Sequence, residues 1–184
     1  YKRQDYDQGL VYYFTEAFKA LGGEVVSEDF PEGNANFVSY INNAKSANAG
    51  VIFAPVSTNY AQLIIEAASA QGFEGHLLGS DTWDNNMVIE SAKGKSVNVE
   101  ITTFYQEGGA PEFDSGIKAW MNENSDALTN NGGNDMVSAV TAMGYDAYFV
   151  ALEAIKAAGS TDPAAVLAAL PGVSYSGVSG LIEF

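Results

Sequence analysis

The sequence predicts an α/β fold, a doubly wound parallel sheet with additional helices. Three observations carry that prediction. Short apolar runs at residues 50–54, 76–79 and 97–104 read as buried strands. They alternate with segments of helical period at 36–47, 59–71 and from Asp84 to Ser91. After Phe104 the pattern changes to helix after helix, which suggests a second unit without a sheet of its own.

The elements follow in order. Residues 8–21 predict a helix, with Leu10, Tyr13, Phe14, Ala17, Phe18 and Leu21 at helical spacing and Gly22-Gly23 as its stop. Residues 24–30 are β-rich around Val25-Val26 and end at Pro31-Glu32-Gly33. Asn36 is the expected N-cap of a helix to Ala47 with Phe37, Tyr40, Ile41 and Ala44 on one face. Gly50-Val51-Ile52-Phe53-Ala54 reads as a strand buried on both faces, Thr58 as the cap of helix 59–71, and Asp84 as the cap of the next helix. Residues 111–124 place Phe113, Ile117, Trp120 and Met121 on one helical stripe, and 122–135 read as a polar connector. A long helix at 137–158, a short one opened by Asp162-Pro163, and a turn and strand at 177–184 complete the chain.

Composition narrows the function. The chain has 184 residues, 47% of them hydrophobic, enough for a packed core. Eight Lys and Arg against 23 Asp and Glu give a net charge of −15, which argues against nucleic acid and anionic membranes as partners. With no Cys there is no disulfide, thiolate metal site or Cys nucleophile, and the single His76 excludes a His pair. The run 81–92 fails as a calcium loop, because Asn86 stands where Gly is required and Ala92 where Glu is required. No phosphate-cradling or nucleophile-elbow motif is present, so no cofactor is expected. The opening Tyr1-Lys2-Arg3 lacks Met and an apolar run, which suggests a trimmed fragment or a processed protein.

In an open parallel sheet, ligands sit beyond the carboxyl ends of the strands. Three loops fall there: 55–59, 80–84 and 105–107. Asp81 follows its strand at once, and its carboxylate either holds a ligand cation or turns the chain toward the next helix. Ser57 and Thr58 are ligand hydroxyls or helix caps, Trp83 walls a pocket or simply packs, and His76 lies at the opposite end of its strand.

Several segments together resemble one family. Asp5-Tyr6-Asp7-Gln8-Gly9-Leu10, Leu21-Gly22-Gly23-Glu24-Val25-Val26 and Phe30-Pro31-Glu32-Gly33 with Asn36-Phe37 (Asn36 where the family has Asp) are the first of them. Ala49-Gly50-Val51-Ile52-Phe53-Ala54-Pro55, Leu78-Gly79-Ser80-Asp81-Thr82-Trp83-Asp84 and Gly144-Tyr145-Asp146-Ala147-Tyr148 follow in order. Gly159-Ser160-Thr161-Asp162-Pro163 and Gly177-Val178-Ser179-Gly180-Leu181-Ile182-Glu183-Phe184 close the series. The set is similar to the type I periplasmic solute-binding proteins of ABC transporters, in particular those for branched-chain amino acids.

That resemblance implies an extracytoplasmic protein that is not an enzyme. It implies an amino acid held in a cleft between two lobes that close by a hinge, and delivery to a membrane permease. It assigns residues 1–104 to a second lobe lacking its first strand, and 105–184 to helices and one strand returning to the first lobe. Asp81 would accept the ligand ammonium and Tyr6 would cover the ligand. Val56 and Ser57 occupy a loop where family members often place a Tyr, whose absence enlarges or polarises the pocket. A ligand-binding sensor domain of the same fold is the alternative. A central strand missing between Val25 and Val51 would leave two strand edges open. The expected occupants of that slot are residues upstream of Tyr1, the 180–184 strand, or a second copy in a swapped or tight homodimer. Trp120 and Phe149 would be left exposed.

Overall fold

The computed structural model describes residues 5–184, with side chains from Tyr6 onward; the opening Tyr1-Lys2-Arg3 lies outside the described residues. The chain divides into two compact units, Tyr1–Thr102 and Thr103–Phe184, each with its own interior.

The first unit is α/β. Helix α1 (Asp5–Ala20) starts three residues earlier than its apolar period suggests and ends at Gly22, whose φ of +88° only glycine adopts without strain. Phe14 of α1 stacks on Phe53, with ring centroids 4.3 Å apart. Helix α2 (Val38–Ser46) buries Ile41 and is preceded by the buried Phe37. Phe37 holds the N-cap position, and Asn36 acts one residue earlier than expected, its Oδ1 accepting the Val38 N–H at 3.0 Å.

Strands β1 (Val51–Ala54), β2 (His76–Gly79) and β3 (Asn98–Ile101) form a parallel sheet in the order β1-β2-β3, with Val51 opposite His76 and His76 opposite Asn98. Helices α3 (Thr58–Ala70) and α4 (Asn86–Ala92) supply the crossovers and pack on each other. Ile64, Ile65, Ala61 and Ala68 of α3 meet Leu77 of the central strand, Phe73, Trp83 and Val88 in one core.

Two expectations need correction here. Residues 24–30 are not a strand, and Val26 is 79% exposed. Nor is β1 buried on both faces: it pairs only with β2 among the described residues, and Val51 is exposed. Both differences have one cause. A strand exists only where its N–H and C=O groups find a neighbour. Among the described residues the 24–30 segment has no ladder to join, and β1 is an edge of the three-stranded sheet.

The second unit is helical with a hairpin. Helix α5 (Pro111–Glu123) carries Pro at its first turn and buries Met121, while Trp120 on its stripe is 56% exposed. The expected polar connector contains a short helix, α6 (Ser125–Asn130), because Ala127 and Leu128 pack against the Met121 cluster. Helix α7 (Ala139–Ala158) is capped by Ser138 and closed by Gly159 in the left-handed conformation. Asp162 caps α8 (Pro163–Ala169) as expected, its Oδ2 accepting the Ala165 N–H at 3.0 Å. Strands β4 (Ser174–Gly177) and β5 (Gly180–Glu183) pair antiparallel in a two-stranded sheet of their own. Phe113, Tyr145, Phe149 and Tyr175 form a chain of aromatic contacts, with successive centroids 4.8, 4.8 and 6.1 Å apart. Phe149 is half-buried.

The Tyr105 loop, expected at the ligand rim, is closed on itself in this unit. Tyr105 is buried and donates its hydroxyl to Asp114 Oδ1 at 2.6 Å, and Asp114 Oδ2 accepts the Gly108 N–H at 2.7 Å. Burial, followed by the Asp114 hydrogen bond, pushes the Tyr105 phenol up.

Candidate functional site

The carboxyl ends of β1 and β2 converge on one carbonyl. Beyond β2, Asp81–Trp83 form a single 3-10 turn. Thr82 Oγ1 donates to the Val56 carbonyl at 2.7 Å, and Trp83 Nε1 donates to the same oxygen at 3.1 Å. In return Thr58 Oγ1 donates to the Thr82 carbonyl at 3.0 Å, and Asn85 Nδ2 reaches Thr58 Oγ1 at 2.9 Å. The loops after β1 and β2 are thereby tied together.

This network redistributes the expected roles. Thr58 is not the helix cap: Ser57 holds that position through its backbone, and the Thr58 hydroxyl is spent on the neighbouring loop. Asp84 is not the cap of α4: Asn85 is, with Oδ1 accepting the N–H groups of Met87 and Val88. Asn85 serves both α4 and Thr58 because an amide offers donor and acceptor at once, whereas a carboxylate only accepts. Trp83 is 1% exposed, so its ring belongs to the core and its N–H braces the Val56 loop. It also lies over Gly79, where a Cβ would overlap the indole.

Asp81 is the acidic residue of this turn, and it is partly buried. Its Oδ1 accepts the phenol O–H of Tyr6, in the first turn of α1, at 2.6 Å. Sequence reasoning named both residues but had no means of joining them across 75 positions. The hydrogen bond to Asp81 leads the causes that push the Tyr6 phenol up to about 12; burial and the charges of Asp81 and Asp7 follow. Asp7 is also held above the usual carboxylate value, first by burial and then by the Asp81 charge. Two carboxylates and a phenol therefore share this rim.

Ser57 faces elsewhere. With Glu32, Gly33, Asn34, Asn59 and Tyr60 it lines an open hollow of about 430 Å³, whose loop is held by the Gly33 N–H donating to the Tyr60 hydroxyl at 2.9 Å. Val56 contributes its carbonyl to the brace, and its side chain is partly buried against the core. His76, at the opposite end of β2, pairs with Glu100 at 2.7 Å. Among the described residues no group of three His, Cys, Asp or Glu is placed to hold a metal ion. No described helix is long and apolar enough to cross a membrane.

Residues 1–184 match the family model of the periplasmic binding proteins. The chain is similar to the leucine binding protein LivK of Thermotoga maritima, at 29% identity and a TM-score of 0.82, over 98% of this chain and 50% of that one. It shares its fold with the branched-chain amino acid transporter substrate binding protein LivJ of Streptococcus pneumoniae, solved with isoleucine. There the identity is 20% and the TM-score 0.77, over 98% and 49% of the two chains. A benzoate-bound solute binding protein of an ABC transporter from R. palustris shares the fold at 18% identity and a TM-score of 0.73, over 96% and 48%. The chain thus spans about half the length of these solved structures. None of the curated proteins matches it. With its whole length matched, a parallel α/β sheet and the fold of these binding proteins, the chain belongs to the periplasmic binding protein family.

Proposed function

We propose that the complete protein is the extracytoplasmic solute-binding component of an ABC transporter. It binds an amino acid, of branched-chain type or a related small solute, and hands it to a membrane permease without chemical turnover. Residues 1–104 belong to the second lobe, and 105–184 are the helices and strand returning to the first. The observation that carries this reading is Asp81. A carboxylate stands on a braced turn at the carboxyl end of a parallel sheet, the end at which open α/β sheets bind ligands. Its chemistry suits an α-ammonium group. The 29% identity to a protein named as a leucine binding protein supports the ligand class. Tyr6 covers the ligand with its ring, which is 47% exposed and free to be packed on. Val56 acts from the neighbouring loop through its carbonyl, Ser57 faces the adjoining hollow, and Trp83 contributes from behind by bracing that loop.

The test is calorimetric titration of the complete protein with the twenty amino acids. Asp81→Ala should cost about 2–5 kcal/mol of affinity, because it leaves a buried ammonium unpaired. Unchanged affinity would remove Asp81 from the site, and no amino acid bound by the unaltered protein would overturn the reading.

A further inference from the structure

The Tyr6 hydroxyl has a role that covering a ligand does not require. The 3-10 turn carrying Asp81 is fixed through Thr82, Trp83 and Thr58, so the Asp81 backbone is set and only its side-chain torsions remain to be chosen. A carboxylate has two oxygens and accepts from several directions. On Asp81 one oxygen, Oδ1, is taken by the Tyr6 O–H at 2.6 Å, a length typical of a charge-assisted bond.

The described cations of this unit are placed elsewhere. Lys45 donates to the Gln71 carbonyl, Lys93 pairs with Glu90, Lys95 pairs with Glu66, and Lys19 sits in the last turn of α1. A neutral donor thus orients Asp81 without cancelling its charge.

We infer that Tyr6 is a positioning residue for Asp81: its hydroxyl holds Oδ1 and so presents Oδ2 as the acceptor for a cationic ligand group. The inference rests on the reading of Asp81 as the ammonium site and deepens it. Tyr6 then does two separable things, packing by its ring and aiming Asp81 by its oxygen. Phenylalanine keeps the first and removes only the second.

The test is a double-mutant cycle on the complete protein, with the amino acid that binds in the screen above as titrant. The variants are Tyr6→Phe, Asp81→Asn and the pair, with melting temperatures checking that each is folded. Tyr6→Phe should weaken binding about tenfold or more, the worth of a hydrogen bond to a charged group. In the Asp81→Asn background the same change should alter affinity less than about twofold, because the carboxylate that pairs with the ammonium is gone. Unchanged affinity for Tyr6→Phe alone overturns the inference, as does an equal loss in both backgrounds, which would mean that the hydroxyl touches the ligand or supports the fold generally. In those cases amino-acid binding itself still stands. If the unaltered protein binds no amino acid, the functional reading falls and takes this inference with it.

Discussion

Asp146 and Gly177 occupy what is nearly a single space. Asp146, on α7, is 1% exposed, and its Oδ1 accepts the Val178 N–H at 2.9 Å. Its Oδ2 accepts the Ser179 N–H at 2.8 Å and the Ser179 hydroxyl at 2.5 Å. A Cβ on Gly177 would overlap the carboxyl group. One carboxylate therefore holds the tip of the β4–β5 hairpin against the long helix, and it fits only because Gly177 has no side chain.

Two substitutions test this clamp. Asp146→Ala leaves the Val178 and Ser179 amides unpaired, at about 1–3 kcal/mol for each that stays away from water. Gly177→Ala pushes the carboxylate out of place, an overpacking cost of about 1–3 kcal/mol. Urea unfolding should show a lower midpoint for both, and their sum should exceed the effect of the double variant, since they break the same contact. A midpoint unmoved by either change would mean that the hairpin is held by other contacts.

Asp7 should make the protein less stable as pH rises. Its folded-state pKa lies above the ordinary value of 3.8, through burial first and the Asp81 charge second. A carboxyl group that holds its proton more tightly when folded supports the fold below its unfolded value and loses that support as pH climbs through the folded one. The N-terminal dipole of α1 acts in the opposite direction, but the net shift is upward. Asp7→Asn is therefore expected to raise the melting temperature at pH 7 and to change it much less near pH 3, below that ordinary value. A gain of the same size at both pH values would point to a cause other than charge.

The brace under the site is tested at Trp83. Truncation to Ala removes a fully buried indole and costs about 3–5 kcal/mol. Trp83→Phe keeps most of the packing but leaves the Val56 carbonyl with the Thr82 hydroxyl as its remaining side-chain donor. It should cost less stability than the Ala change while weakening ligand binding through a looser loop. Gly79→Ala should be destabilising as well, since the added methyl meets the indole. Equal stability for Trp83→Phe and Trp83→Ala, measured by chemical denaturation, would exclude packing as the main role of the ring.

Much of this protein was legible in its sequence because much of its structure is local. The period of α3 and α7, the Pro111 and Asp162-Pro163 starts and the glycine at 159 all act within a few residues, because a helix bonds each N–H to a carbonyl four residues back. The apolar runs at β1 and β2 also announced themselves, since parallel strands are the most apolar segments of such a fold.

What the sequence left open was decided at a distance. Val25-Val26 has the composition of a strand but no ladder to enter among the described residues, and composition cannot supply a partner. Asn85 rather than Asp84 caps α4 because Thr58 and the Thr82 carbonyl, on other turns of the chain, need a donor that a carboxylate lacks. Trp83 looked equally suited to a pocket wall and to the core until Val56 and Gly79 were placed around it. Tyr6 and Asp81, and Asp146 with Val178 and Ser179, are joined only when the tertiary fold carries residues 75, 32 and 33 positions apart into hydrogen-bond range. The order of residues states which local bonds are available; which polar groups meet across the fold depends on how burial of the apolar faces packs the elements, and that is a property of the whole structure.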